Sequence, residues 1–279
     1  VAYACIMAAF FPFLVLAVSW QQKYSKRWWI LVGILPLFFV AIYLSYTRAA
    51  YVALAIALFA YFAIQFRLMK YLLAIATALV LLALTYMSSQ NRYLDYAPNY
   101  ERTITHTDFN NLLEATYNME DISTMERVYR WVAGFFMVKE EPVFGFGPGN
   151  FHNFYKSYTV TSFQTYVSDN PDKSGIHNYY LMTSVEQGIP GLLIFVFILF
   201  FALLKGETIY HETDLQPLKD IAMMAILTII IIASTLIIND LIETDKVGPF
   251  FFISLALLVN TDVANRRKRL SPKQNLSRL

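Results

Sequence analysis

The chain has 279 residues and a formal net charge of +2, and 57% of it is hydrophobic against 15% charged. At a mean hydropathy of +0.45 it has too little polar surface for a soluble globule of this length, which places it in the membrane class. Its basic residues form short clusters between apolar segments, so no nucleic-acid partner is indicated. A single cysteine, Cys5, supports neither a disulfide framework nor a thiolate metal site.

The chain opens on Val1-Ala2-Tyr3, without an initiator Met or a basic n-region, and reads as the C-terminal part of a longer membrane protein and not as a signal peptide. Apolar segments at roughly 1–20, 28–47, 49–66 and 70–88 each approach the ~20 residues that cross a hydrocarbon core. Three more follow at 178–204, 219–239 and 247–264. The expected architecture is an all-α polytopic membrane protein of about seven spans. Residues 1–88 hold four helices, 89–176 a large loop with amphipathic or interfacial helices, 177–264 three helices, and 265–279 a basic tail. Lys23, Lys26 and Arg27, then Arg67 and Lys70, then Lys205 and Lys219, then Arg266 to Arg269 all fall on one side. The positive-inside rule makes that side cytoplasmic and turns the large loop away from it.

Arg48 is the exception. Ser45-Tyr46-Thr47-Arg48-Ala49-Ala50-Tyr51 leaves almost no loop between the second and third helices, so this guanidinium sits at the lipid boundary on the outer side, where charge is costly unless paired or wetted. It reads either as an arginine snorkelling to lipid phosphates or as an anion clamp, because a planar fork of donors suits phosphate oxygens and does not lose its proton.

A structureless loop as long as 89–176 is improbable, and its aromatics argue for an ordered subdomain. Residues 89–122 are polar and Asn-rich and predict short irregular helices. Ser123 or Thr124 can cap a helix over Met125 to Val138 with an apolar face at helical spacing. Arg127, Arg130 and Trp131 lie within about one turn of one another. The predicted helix lies in the interface plane, with Trp131 and Phe135 toward lipid and the arginines toward head groups or a lipid-borne substrate. Glu140-Glu141-Pro142 ends it. In Phe144-Gly145-Phe146-Gly147-Pro148-Gly149-Asn150, three alternating glycines mark a tight turn or a close approach; as a phosphate cradle the pattern lacks the P-loop lysine and its strand. Ser168 to Lys173 is the stretch expected to move most.

His177 falls at or just before the first turn of the fifth span, where the macrodipole disfavours added positive charge. A neutral imidazole there can accept a proton from a hydroxyl, or serve simply as an interfacial anchor. His106, His152 and His211 have no partners at metal-ligand spacing, so neither a metal nor another cofactor is expected.

Together, Ser45 to Ala50, Arg127 four residues before Trp131, Glu141 to Phe151, and His177-Asn178-Tyr179-Tyr180-Leu181 followed by Glu186-Gln187-Gly188-Ile189-Pro190-Gly191 resemble the O-antigen ligase and polymerase family of bacterial inner-membrane glycan transferases. The resemblance covers about residues 28–200, in the family's order. It implies metal-independent, inverting transfer of a glycan from an undecaprenyl-diphosphate donor to an acceptor hydroxyl, such as that of lipid A core or a growing glycan, at the periplasmic face. It further implies that His177 is the general base and that Arg48 and Arg127, with Arg130 as an additional candidate, bind the diphosphate. Glu186 is assigned to helix packing or loop contact. Ligation, repeat-unit polymerisation and transfer to protein hydroxyls would share these groups. Outside the family, a transporter or a structural subunit of a glycan export system are the alternatives; the spans show no repeated pair of interrupted helices.

Overall fold

The computed structural model describes residues 2–96, 122–164, 168–170 and 173–275. Among these there are helices and no strands. Apart from short 3₁₀ turns at Tyr155–Tyr158, Thr161–Phe163 and Leu241–Glu243, in chain order they are α1 (Ala2–Ser19), α2 (Lys26–Leu44), α3 (Arg48–Gln65), α4 (Met69–Ser88), a 3₁₀ helix (Ser89–Tyr96), α5 (Ile122–Glu140), the single turn α6 (Phe151–Phe154), α7 (Tyr179–Glu212), α8 (Gln216–Thr235) and α9 (Gly248–Asn275). All but α5, α6 and the 3₁₀ helix are long and apolar enough to cross a membrane, seven in all. The irregular helices expected at 89–122 correspond to the 3₁₀ helix as far as Tyr96; residues 97–121 lie outside those described.

The chain forms two units. One comprises Val1–Leu73, Ile198–Thr235 and Leu241–Leu279. Within it α3 packs chiefly on α8, which also packs on α1 and α9. The buried residues of α3 are Ala49, Ala50, Ala53, Ala57 and Ala60, with Ile64 near its end. Between helices already surrounded by lipid, small residues allow the close backbone approach from which dispersion contacts come. At the α1–α2 turn, Ser25 accepts a hydrogen bond from the Trp28 amide at 3.2 Å and caps α2. Exposed Trp20, Tyr24 and Trp29 accompany Lys23, Lys26 and Arg27 there, the pairing of aromatic belt and basic cluster found at membrane interfaces. The α2–α3 turn is pinned by the Tyr51 hydroxyl, which donates to the Tyr43 carbonyl at 2.6 Å. In this turn Tyr46 has φ 50°, and Arg48 is the first residue of α3. Between α1, α2, α3 and α8 lies an apolar cavity of about 890 Å³, reaching from Tyr43 and Tyr51 to Ser19 and Asp220. The last helix runs beyond the expected end of its span near 264, helped by the Arg266–Asp262 pair at 2.7 Å one turn apart.

The other unit comprises Ala74–Phe197 with Leu236–Asp240. Its core joins Tyr129, Val132, Ala133 and Met137 of α5 to Phe151, Tyr155, Phe163 and Ile176, and to Leu181, Met182 and Val185 of α7. The 34-residue α7 would be about 50 Å long if continuous, more than a bilayer core needs. It is broken at Gly188, whose φ of 70° and ψ of 179° interrupt the helix. Residues 181–186 ahead of the break are buried, Leu181, Met182 and Val185 of them in this core. Beyond it, Ile189, Leu193, Ile194 and Phe197 are exposed and present an apolar surface.

Candidate functional site

The backbone around His177 is held from every side. Arg130 donates to the Gly175 carbonyl at 3.1 Å and the Trp131 indole to the Ile176 carbonyl at 3.0 Å, so neighbouring side chains of α5 grip neighbouring carbonyls just before the histidine. After it, Asn178 accepts from the Leu181 amide at 3.0 Å and caps α7. The Tyr179 amide donates to the carbonyls of Leu236 and Asn239 at 2.9 and 3.1 Å. Between these anchors His177 sits at φ 55°, in the left-handed region where a non-glycine residue persists only when its surroundings over-determine it.

Asp240 is the residue that sequence reasoning missed. Its Oδ1 lies 3.8 Å from Nδ1 of His177, and the two side chains are 22% and 34% exposed. Gly175 packs so closely against this carboxylate that a Cβ there would collide with it. Burial pushes the Asp240 carboxyl up, but the facing His177 imidazole, with the backbone amides of Asp240 and His177, more than offsets it and holds the group below the ordinary carboxylate range. A carboxylate facing Nδ1 favours the tautomer with its proton on that nitrogen and leaves Nε2 to accept a proton. In the sequence Asp240 is one of three acidic residues in the turn 239–245, and nothing there singles it out.

Arg130 is buried, and its guanidinium pairs with Glu126 at 3.3 Å, also buried. Glu126 in turn accepts from Ser168 at 2.7 Å. An arginine committed to a buried carboxylate and a loop carbonyl acts on the position of the loop, which argues against the diphosphate contact expected for it. Trp131 also departs from expectation. It faces the subdomain core and Ile176 instead of lipid, because the buried indole N–H requires an acceptor. Phe135 is exposed, as anticipated, and Arg127 is half-buried on the same helix. The helix starts at Ile122, ahead of both expected caps. Of the expected mobile stretch, the described part is ordered by Asn170, which accepts from the Ser174 amide at 2.8 Å and donates to the Tyr155 hydroxyl at 3.2 Å; Pro171 and Asp172 lie outside the described residues.

The glycine run docks onto the α7 break. Gly145, Gly147 and Gly149 all have positive φ. The Phe146 and Gly147 amides donate to the Val185 and Glu186 carbonyls at 2.8 and 2.9 Å, and the Ile189 amide to the Pro142 carbonyl at 2.8 Å. A Cβ on Gly145 would meet the Val185 carbonyl at 2.6 Å, and one on Gly188 would collide with the Val143 carbonyl. Gly145 and Gly188 thus serve a close backbone approach, and the carbonyls freed where the helix breaks are satisfied by the loop. Arg48 belongs to the other unit, at the first turn of α3. Among the described residues no three His, Cys, Asp or Glu side chains gather as a metal ligand set.

Seven membrane-length helices among the described residues define a multi-pass membrane protein. The family profile of O-antigen ligases matches residues 33–196, which take in Arg48, α5, the glycine run, His177 and the α7 break. The chain belongs to the O-antigen ligase family, glycosyltransferase-type enzymes that act on lipid-linked glycans. No curated protein matches it.

Proposed function

We propose that the protein transfers a glycan from an undecaprenyl-diphosphate carrier to an acceptor hydroxyl, ligase-fashion, on the periplasmic side of the bacterial inner membrane. The observation that carries this reading is His177 on the subdomain surface with its Nδ1 turned to the partly buried Asp240. In the proposed reaction Nε2 of His177 takes the proton of the acceptor hydroxyl, and that oxygen forms a bond to the anomeric carbon. The bond from that carbon to the diphosphate oxygen breaks with its electron pair, and direct displacement inverts the anomeric configuration. Arg127 and Arg48 meet the charge that develops on the leaving diphosphate. Arg48 carries this role on its sequence motif and on the favourable field of the α3 N-terminus for an anion. The apolar cavity of about 890 Å³ suits part of an isoprenoid chain.

The test is transfer by the protein reconstituted with undecaprenyl-diphosphate glycan and a lipid A core acceptor, with EDTA present. Turnover that His177→Ala abolishes, while the protein accumulates and still binds donor, supports the mechanism. Unchanged turnover returns His177 to an interfacial anchor. Products lengthened on the carrier instead of joined to core would name a polymerase.

A further inference from the structure

We infer that the loop tip Val143-Phe144 is inserted into the bilayer and fixes the depth at which the extramembrane subdomain rides. Phe144 is 84% exposed and Val143 55%, in a loop whose backbone is otherwise firmly held by the hydrogen bonds of Pro142, Phe146 and Gly147 to the α7 break. A large apolar side chain projecting from a rigid mount calls for an apolar partner. The partner follows from where the mount stands. Ahead of Gly188, α7 is enclosed by the subdomain core; from Ile189 onward it presents exposed Ile189, Leu193, Ile194 and Phe197 and carries no charged residue until Lys205.

The change from protein-covered to lipid-facing helix therefore occurs at Gly188 and Ile189, and the tip is bonded to that point. Pro142 accepts from the Ile189 amide, and the Val143 carbonyl lies against Gly188. The apolar tip is continuous with the lipid-facing surface of α7, so its occupant is the hydrocarbon edge of the leaflet. At the end of α4, in the same unit, Arg92 stacks over the exposed ring of Tyr86 at 4.7 Å, an aromatic and cationic pair of the kind that marks an interface. The inference stands apart from the proposed chemistry, since it needs only the bilayer.

The experiment places a nitroxide at 144 or 143 through Phe144→Cys or Val143→Cys in a Cys5→Ala background, with the protein reconstituted in phosphatidylethanolamine and phosphatidylglycerol bilayers. Collision rates with oxygen, which concentrates in lipid, are compared with those of a water-soluble nickel chelate, using labels at Phe197 and at Lys268 as lipid and water references. We expect oxygen to be favoured several-fold over the reference at Lys268 for at least one of the two tip positions. Nickel-favoured collisions at both, matching Lys268, overturn the inference. Both side chains are exposed, so neither change disturbs packing, and a lipid-type signal from the variant labelled at Phe197 verifies insertion under the same reconstitution conditions.

Discussion

The two units of this chain are held together by different means. In the membrane unit α3 meets α8 through a face of alanines, with close fit and few directional bonds. The subdomain has an aromatic core, and polar side chains around it reach specific carbonyls: Arg130 to Gly175, Trp131 to Ile176, Asn170 to Ser174. The contrast teaches that packing sets where helices lie, while directional bonds set where one imidazole points.

Several changes would break or sharpen that contrast. The largest effect is expected at the imidazole itself. His177→Ala should lower glycan transfer by about 10²- to 10⁴-fold, the range for a general base, with donor binding retained in a lipid-vesicle binding assay. Next is Arg130→Met, which strands Glu126 in the core and should cost about 3–5 kcal/mol, read as a lower unfolding midpoint in detergent. If Arg130 instead met phosphate, donor affinity would fall and the midpoint would hold. In the membrane unit, Ala53→Leu overfills the α3–α8 contact and should cost about 1–3 kcal/mol, measured in the same way, with the loop protease pattern around 173–177 unaltered. Trp131→Phe removes one hydrogen bond to Ile176, worth about 1 kcal/mol. It should lower kcat more than it raises KM, because the base is misplaced and the donor site is not.

The smallest effect concerns pH. The Asp240 carboxyl is held below its ordinary value, so its contribution to stability is complete above the unfolded value of about 4 and is lost as pH falls through the lowered folded value. Wild type and Asp240→Asn should therefore differ in unfolding midpoint at pH 6 and converge as the pH is lowered past that folded value. A difference that stays constant across that range would remove the carboxylate from the account.

Much of the membrane architecture was legible because apolar length and basic clusters are local properties of the chain: each expected span overlaps a helix. The exposed Phe135 and the end of α5 at Glu140 were legible for the same reason. The clamp was not. Glu126 and Arg130 are one turn apart and could have been paired from spacing alone, but their burial and the Gly175 carbonyl that Arg130 reaches depend on tertiary packing. Trp131 reads as an interfacial anchor until a carbonyl 45 residues away is placed beside it. Asp240 and His177 are separated by a whole membrane hairpin, and no periodicity links them. The glycine run announced a close approach, yet its partner, the broken turn at Gly188, was visible only as a Gly-Ile-Pro-Gly sequence inside an apolar helix.

The left-handed backbone at His177 has a consequence for the choice of variants. Asparagine tolerates that conformation better than alanine, and a β-branched residue tolerates it least. His177→Asn is therefore the inert control that leaves the loop shape intact, and His177→Val confounds lost chemistry with a rearranged backbone. A screen for thermostable forms of this protein would be drawn toward residues that relax position 177, glycine above all, and would select against the group on which the proposed turnover depends.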